Sequence, residues 1–196
     1  MLLNALEKSM MNNPIRAAIQ RYVEAQILKR MGGPLPGGRV LELGCGRGVG
    51  IEIILKGFGA KQVDAFDLDP EMIALAQKRM ARLGKQVKLW VGDATAIQAK
   101  DNAYHAVFDF AIIHHIPKWR DALREVYRVL KPGGRFYAEE VLKQFIGNPV
   151  WRRFFDHPQE DRFDCKQFVA ALRTIGFRIV AQRKLGESFA WVVAEK

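Results

Sequence analysis

The feature that most constrains this chain is the stretch Val40-Leu41-Glu42-Leu43-Gly44-Cys45-Gly46-Arg47-Gly48-Val49-Gly50. An apolar run reads as a buried strand, and it ends in a turn with four glycines in seven positions. Glycine supplies left-handed backbone without a Cβ clash and lets the main chain approach a ligand closely. In an open α/β sheet, ligands bind off the carboxyl ends of the strands, so a glycine turn placed there marks a candidate binding site.

The rest of the chain supports such a sheet. "KQVDAFDLDP", "QVKLWVGD", "YHAVFDFAII" and "RFYAEEV" read as further strands, after "VLELG" as the first. Between them lie helical patterns: "VGIEIILKG", stopped by Gly57, "PEMIALAQKRMARLG", started by Pro70 and capped by Gly84, and "PKWRDALREVYRVLKPGG", ended by Pro132-Gly133-Gly134. Strands alternating with helix-length connections predict right-handed βαβ units and a mostly parallel sheet. The tail, "CKQFVAALRTIGFRIVAQRKLGESFAWVV", reads as a helix and then two strands joined by a tight turn at Gly186, an antiparallel closure. Residues 14–31 read as a helix with Ile15, Ile19, Tyr22, Val23 and Ile27 along one face. The expected division is a helical lid over residues 1–33 and one α/β domain over 34–196.

Composition narrows the class. With 196 residues, 49% of them hydrophobic, the chain suits one domain with a proper core. No apolar run approaches the ~20 residues that cross a bilayer. The first residues lack the apolar block of a secretory signal. Cys45 and Cys165 are too few for a disulfide framework, so reduced thiols in a cytoplasmic protein are expected. The net charge of +10 is dispersed along the chain, which favours a solvated surface and leaves room for an anionic partner.

The spacing of the glycines decides what the turn holds. Gly44, Gly46, Gly48 and Gly50 fall on every second residue, so G-x-G-x-x-G, which seats a dinucleotide pyrophosphate, is not matched. Glu42, two residues before the first glycine, repels a pyrophosphate and favours a cation. Asp67, at the end of the second strand, can accept both hydroxyls of a ribose. Asp93, in "VGDAT", ends the third and can accept from an adenine amino group while the Ala94 N–H donates to the ring. Three acids at consecutive strand ends imply a ligand with a nucleoside-like body and a positive end.

At these residues the chain resembles the class I S-adenosylmethionine-dependent methyltransferases, in particular the small-molecule group that includes ubiquinone and menaquinone biosynthesis. "VLELGCGRGVG" looks like the family's E/D-x-G-x-G-x-G motif, "VDAFDLDPEMIALAQKR" like its second-strand segment, and "VGDAT" like its adenine motif. "IIHHIPKWRDALREVYRVLKPGGRFYAEEV" is similar to the stretch common in small-molecule members. The resemblance implies a Rossmann-like, doubly wound seven-stranded sheet, order 3-2-1-4-5-7-6, with strand 7 antiparallel and helices at the N-terminus. It implies methyl transfer from S-adenosyl-L-methionine, with S-adenosyl-L-homocysteine as product. By the same resemblance, the backbone of Gly44, Cys45 and Gly46 lies along the methionine moiety, Glu42 reaches its amino end, and Leu68 sits beside the adenine. Asp109, near the end of the fourth strand, then faces the methyl group and the substrate. One departure is His105, where the family's fourth strand commonly carries an acid, which affects local packing.

Methyl transfer is an in-line displacement, and a base is needed only for a protonated nucleophile of high pKa. Candidates are Asp109, His114, His115, Glu139 and Glu140. The four histidines lack metal-ligand spacing, so no metal is expected. The segment 143–163, with Trp151, Arg152, Arg153, Phe154, Phe155 and His157, is where such folds insert substrate-covering elements. A small-molecule acceptor is favoured. The basic charge speaks for RNA, yet an amino-base motif and an appended RNA-binding domain are missing. A non-catalytic cofactor-binding module is the third reading. Arg16, Arg21, Lys29 and Arg30 of the first helix are the residues that would meet an anionic membrane surface.

Overall fold

The structure, a computed structural model, describes residues 13–147 and 161–196. Its strands form where the apolar runs predict them: β1 (Arg39–Leu43), β2 (Gln62–Asp67), β3 (Val87–Val91), β4 (Tyr104–Phe110) and β5 (Leu130–Val141), followed by the hairpin of β6 (Arg178–Leu185) and β7 (Phe189–Glu195). They make one sheet in the order β3-β2-β1-β4-β5-β7-β6. β1 to β5 pair in parallel, and β7 runs antiparallel between β5 and β6. Six of the seven residues of β4 are buried, as a central strand covered on both faces requires, whereas β3 at the edge is half exposed.

Helices cover both faces. α1 (Pro14–Ile19) continues through a π-helical turn (Gln20–Glu24) into α2 (Ala25–Gly32). On the same side lie α3 (Val49–Ile53) and α4 (Pro70–Met80), so that Leu28, Ile51, Ile54 and Ala76 bury Val40, Phe108 and Val193. On the other side, α5 (Trp119–Val129) and α7 (Cys165–Ile175) set Leu123, Val126, Phe168 and Leu172 against Leu41, Val107 and Phe136. Each such buried side chain contributes about 1.5–3 kcal/mol. A short α6 (Lys143–Ile146) follows β5.

Local chemistry sets the helix starts. Asp69 caps α4 by accepting the Glu71 N–H, with Pro70 at the first helical position. Asp164 and Gln167 form a reciprocal capping box on α7. Two ends differ from expectation. The helix after the glycine turn does not stop at Gly57 but runs on through a π-helical turn to Phe58, and Gly59, at φ 79°, closes it. α5 ends at Val129, before Pro132-Gly133-Gly134, and those residues are drawn into β5. The register there jumps from Tyr104–Leu130 to Ala106–Arg135, so the run is a bulge in the strand, not a helix stop.

The N-terminal helix is anchored at its end: the Tyr137 hydroxyl donates to the Gly32 carbonyl at 2.8 Å. Its apolar positions part company. Ala25 and Leu28 are buried, whereas Ile15, Ile19, Tyr22 and Val23 are exposed. The departure from His105's expected acid is absorbed locally, since His105 Nδ1 accepts the Arg39 N–H at 3.0 Å. A neighbouring acid that no motif marks, Asp64, is buried between Arg39 and the Tyr104 hydroxyl.

Candidate active site

At the carboxyl ends of β1 to β4 lies a cleft of about 470 Å³, walled on one side by the glycine turn. The every-second-residue spacing has a geometric cause. Gly44, Gly46 and Gly48 all have positive φ, at 58°, 50° and 87°, so the chain zigzags through left-handed backbone at alternate residues. Gly50 serves a different need: a Cβ there would lie 1.9 Å from Glu42 Oε1. The missing side chain is the space that the Glu42 carboxylate occupies, under the first turn of α3.

Glu42 is buried and lines the cleft, and its Oε2 has no hydrogen-bond partner among the described residues. Burial, with the charge of Asp67 nearby, pushes its carboxyl well above the usual range. Asp67 receives the Gly46 N–H on Oδ2 at 2.8 Å and the Asp69 N–H on Oδ1 at 2.9 Å, which locks the glycine turn to the end of β2. Its carboxyl is also raised, by burial against those two donors. Asp93 is exposed at the rim, with Oδ1 accepting from the Thr95 backbone and hydroxyl at 2.8 Å. Gly44, Cys45, Gly46, Leu68 and Ala94 line the same cleft. The Cys45 thiol is pushed far up by burial and by Glu42 and Asp67, so it remains a thiol and not a nucleophile.

The β4 and β5 candidates separate. Asp109 does not line the cleft. In the parallel register it pairs with Leu43 and Ala138, both in the core on the α5 and α7 side, so its side chain leaves the sheet on that face. There it is fully buried and accepts the Ile112 N–H at 2.8 Å, and burial with the charge of nearby Glu140 holds its carboxyl well above the usual range. The cleft wall at this point is made by Phe110 and Ile112 instead. His114 is likewise away from the cleft, with Nδ1 at 2.7 Å from Glu140 Oε2. His115 does line it. Glu139, on the opposite face from Glu140, is buried with its Oε1 3.8 Å from Arg16, and burial and the nearby Glu24 hold its carboxyl well above the ordinary range.

Arg16, Gln20, Arg47, Met72, Ile112 and Lys118 complete the wall without having been singled out as site residues. The signal for two of them was present: Arg16 and Gln20 are four residues apart on one helix, and so share a face. Arg47 fastens the glycine turn to that helix by donating to the Asn13 carbonyl at 3.3 Å. Trp151, Arg152, Arg153, Phe154, Phe155 and His157 lie outside the described residues.

The acid-flanked glycine turn, in a sheet of this order, defines a class I methyltransferase architecture. A family model described as "Methyltransferase domain" matches residues 40–134. Phosphoethanolamine N-methyltransferase 2 of Caenorhabditis elegans is 35% identical over 111 residues, which are 56% of this chain and 25% of that protein. Demethylmenaquinone methyltransferase of Lactiplantibacillus plantarum is 30% identical over 150 residues, 74% of this chain and 63% of that one. The chain thus spans less than two thirds of the length of these curated relatives. In fold, it matches a SAM-dependent methyltransferase from Aquifex aeolicus with a TM-score of 0.74 at 21% identity, covering 96% of each chain. Residues 40–134 thus match the methyltransferase-domain family, and the whole chain shares its fold with solved SAM-dependent methyltransferases.

Proposed function

We propose that this protein transfers the methyl group of S-adenosyl-L-methionine to a small-molecule acceptor, in the cleft beside the glycine turn. The observation that carries the reading is Glu42: a buried acid with an unpartnered oxygen facing a cleft, in space that Gly50 leaves open. Such an oxygen calls for a cationic donor, which the amino group of the cofactor offers. The other walls fit the rest of that molecule. Among the described residues, nothing stands within 4 Å of where a Gly46 Cβ would be, which leaves a cradle for the methionine moiety. Asp67 is placed for the ribose hydroxyls, and Asp93, Ala94 and Leu68 for the adenine.

When bound, the cofactor supplies an electrophilic methyl on a sulfonium, which passes in line to the acceptor nucleophile as the sulfonium becomes a neutral thioether. The chain's own contribution is alignment, worth ~7–11 kcal/mol for well-held reactants. Phe110, Ile112 and Ile116 exclude water from the far wall, while His115 is the side chain there able to accept a proton from the acceptor. Arg16 and Gln20 support reading the helix from Pro14 as a lid over this end; residues 1–12 of the expected 1–33 lie outside the described residues. A cleft of about 470 Å³ is within the ~300–1,000 Å³ usual for small-molecule sites. The curated relatives are named for small acceptors, phosphoethanolamine and demethylmenaquinone. RNA is the alternative that the net charge of +10 favours, and its binding would weaken steeply with salt.

Calorimetry tests the reading. S-adenosyl-L-methionine and S-adenosyl-L-homocysteine should bind while NAD does not, and label from a methyl-labelled donor should reach an amine, quinol or fatty acid in an acceptor screen. A cation beside Glu42 favours its ionised form, so binding releases a proton. Affinity should therefore rise with pH up to the elevated Glu42 range. Glu42→Gln should weaken binding about tenfold and flatten that pH dependence. Tight binding of NAD with none of either adenosyl compound would overturn the proposal.

A further inference from the structure

Two carboxyls that never reach the cleft nevertheless build part of its wall. Asp109 Oδ1 accepts the Ile112 N–H at 2.8 Å. Glu140 Oε1 accepts the Ile113 N–H at 3.0 Å, and Oε2 accepts the His114 N–H at 3.3 Å and meets His114 Nδ1 at 2.7 Å. Three successive backbone donors, Ile112 to His114, leading into the tight helical turn at Ile113–His115, are thus held by acids on two adjacent strands. The residues that leave this turn, His115, Ile116, Pro117 and Lys118, all line the cleft. The rings of His114 and His115 lie 4.2 Å apart, so what fixes the first supports the second.

We infer that Glu140 is a positioning residue for methyl transfer: through the Ile113–His115 turn and the His114 ring, it sets where His115 stands against the acceptor. The inference rests on the cleft being the transfer site. Capping alone does not account for the construction. An amide or hydroxyl satisfies N–H donors without the cost of burying a charge, which is several kcal/mol per ion. The carboxyl brings two oxygens that grip three donors at once, and it keeps a negative charge under the turn.

The surroundings settle the division of charge. Asp109 Oδ2 meets no donor among the described residues, and burial with the charge of Glu140 beside it raises its carboxyl well above the usual range, so Asp109 is the one of the two that keeps its proton. Glu140, with burial pushing it up and Asp109 and the turn N–H groups pulling it down, titrates at about 7. Glu139 adds repulsion from the neighbouring position, and Lys143, Asp161 and Arg162 line the small space on the far side of His114. Above neutrality the pair therefore holds one negative charge, and the His114 Nδ1–H is directed at it.

Histidine-labelled protein, observed by NMR with and without S-adenosyl-L-homocysteine, tests this. In wild type the His114 Nδ1 proton should give a downfield, slowly exchanging signal. Glu140→Gln should lose that signal and move the His115 titration midpoint to lower pH, while S-adenosyl-L-homocysteine binds within about threefold of wild type. In any acceptor assay the same variant should lower kcat at least tenfold with KM for the methyl donor unchanged. Should Glu140→Gln not fold, Glu140→Asp keeps the charge but withdraws it by one methylene, and should show the same loss of signal. An unchanged His115 titration in a folded variant overturns the inference. Failure of the wild type to bind S-adenosyl-L-homocysteine instead defeats the proposed function, and leaves the NMR result to score the turn by itself.

Discussion

Acids gather at the carboxyl ends of the strands in two sets that look alike in sequence and behave in opposite ways. Glu42, Asp67 and Asp93, on β1 to β3, open onto the cleft. Asp109 and Glu140, on β4 and β5, point through the other face of the sheet and are closed off from it. The first set leaves capacity unused, most plainly at Glu42 Oε2. In the second, both oxygens of Glu140 are occupied by backbone N–H groups and an imidazole. An acid with spare capacity at a cleft awaits a ligand; one whose partners are all protein shapes the fold around the ligand.

The contrast is broken most severely at Gly50. Gly50→Ala drives a methyl group into Glu42 Oε1, and should cost about 1–3 kcal/mol of stability together with roughly 10- to 100-fold in cofactor affinity. Denaturant melts and calorimetry read the two losses separately. The sealed set is tested by pH. Glu140 is raised from 4.5 to about 7 in the folded state, so its contribution to stability is complete below about 4.5 and is lost as pH rises through 7. The unfolded chain releases this proton first, and the loss amounts to about 3 kcal/mol. Asp109, raised for the same reason, adds to the decline in the same direction. Urea melts between pH 4.5 and 8 should show stability falling, and a rise across that range would mean that these carboxyls are not buried as a pair. The smallest effect sharpens the assignment of the proton. Asp109→Asn replaces a protonated acid with a neutral amide of the same shape whose oxygen can still accept the Ile112 N–H, so stability at pH 7 should change by less than about 1 kcal/mol while the pH dependence becomes shallower.

These differences explain what the sequence makes legible. The glycine turn and its three acids are local: a strand end and a residue type identify them, and Glu42, Gly44, Cys45, Gly46, Asp67, Leu68, Asp93 and Ala94 all meet at one cleft. Asp109 is also at a strand end, but its face depends on register. Only the pairing of Leu43 with Asp109, and of Glu42 with Phe108, shows that Asp109 and Glu42 leave the sheet on opposite sides. His114 and His115 are neighbours, and a single turn sends one to Glu140 and the other to the cleft. The bulge at Pro132-Gly133-Gly134 was hidden for a different reason. Proline and glycine commonly stop a helix, yet here they interrupt a strand whose partner, β4, continues past them.

The π-helical turn at Gln20–Glu24 has a consequence for how this protein tolerates change. Its wider coil takes in an extra residue and offsets the angular phase of α2 from that of α1. One continuous rod can therefore aim Arg16 and Gln20 at the cleft while seating Leu28 on the sheet. Removing a single amino acid from that coil would restore an even winding and rotate one half against the other by roughly 100°. With Gly32 pinned by Tyr137, the half that swings is the one above the pocket. Length at this point is thus as strictly constrained as the identity of any side chain.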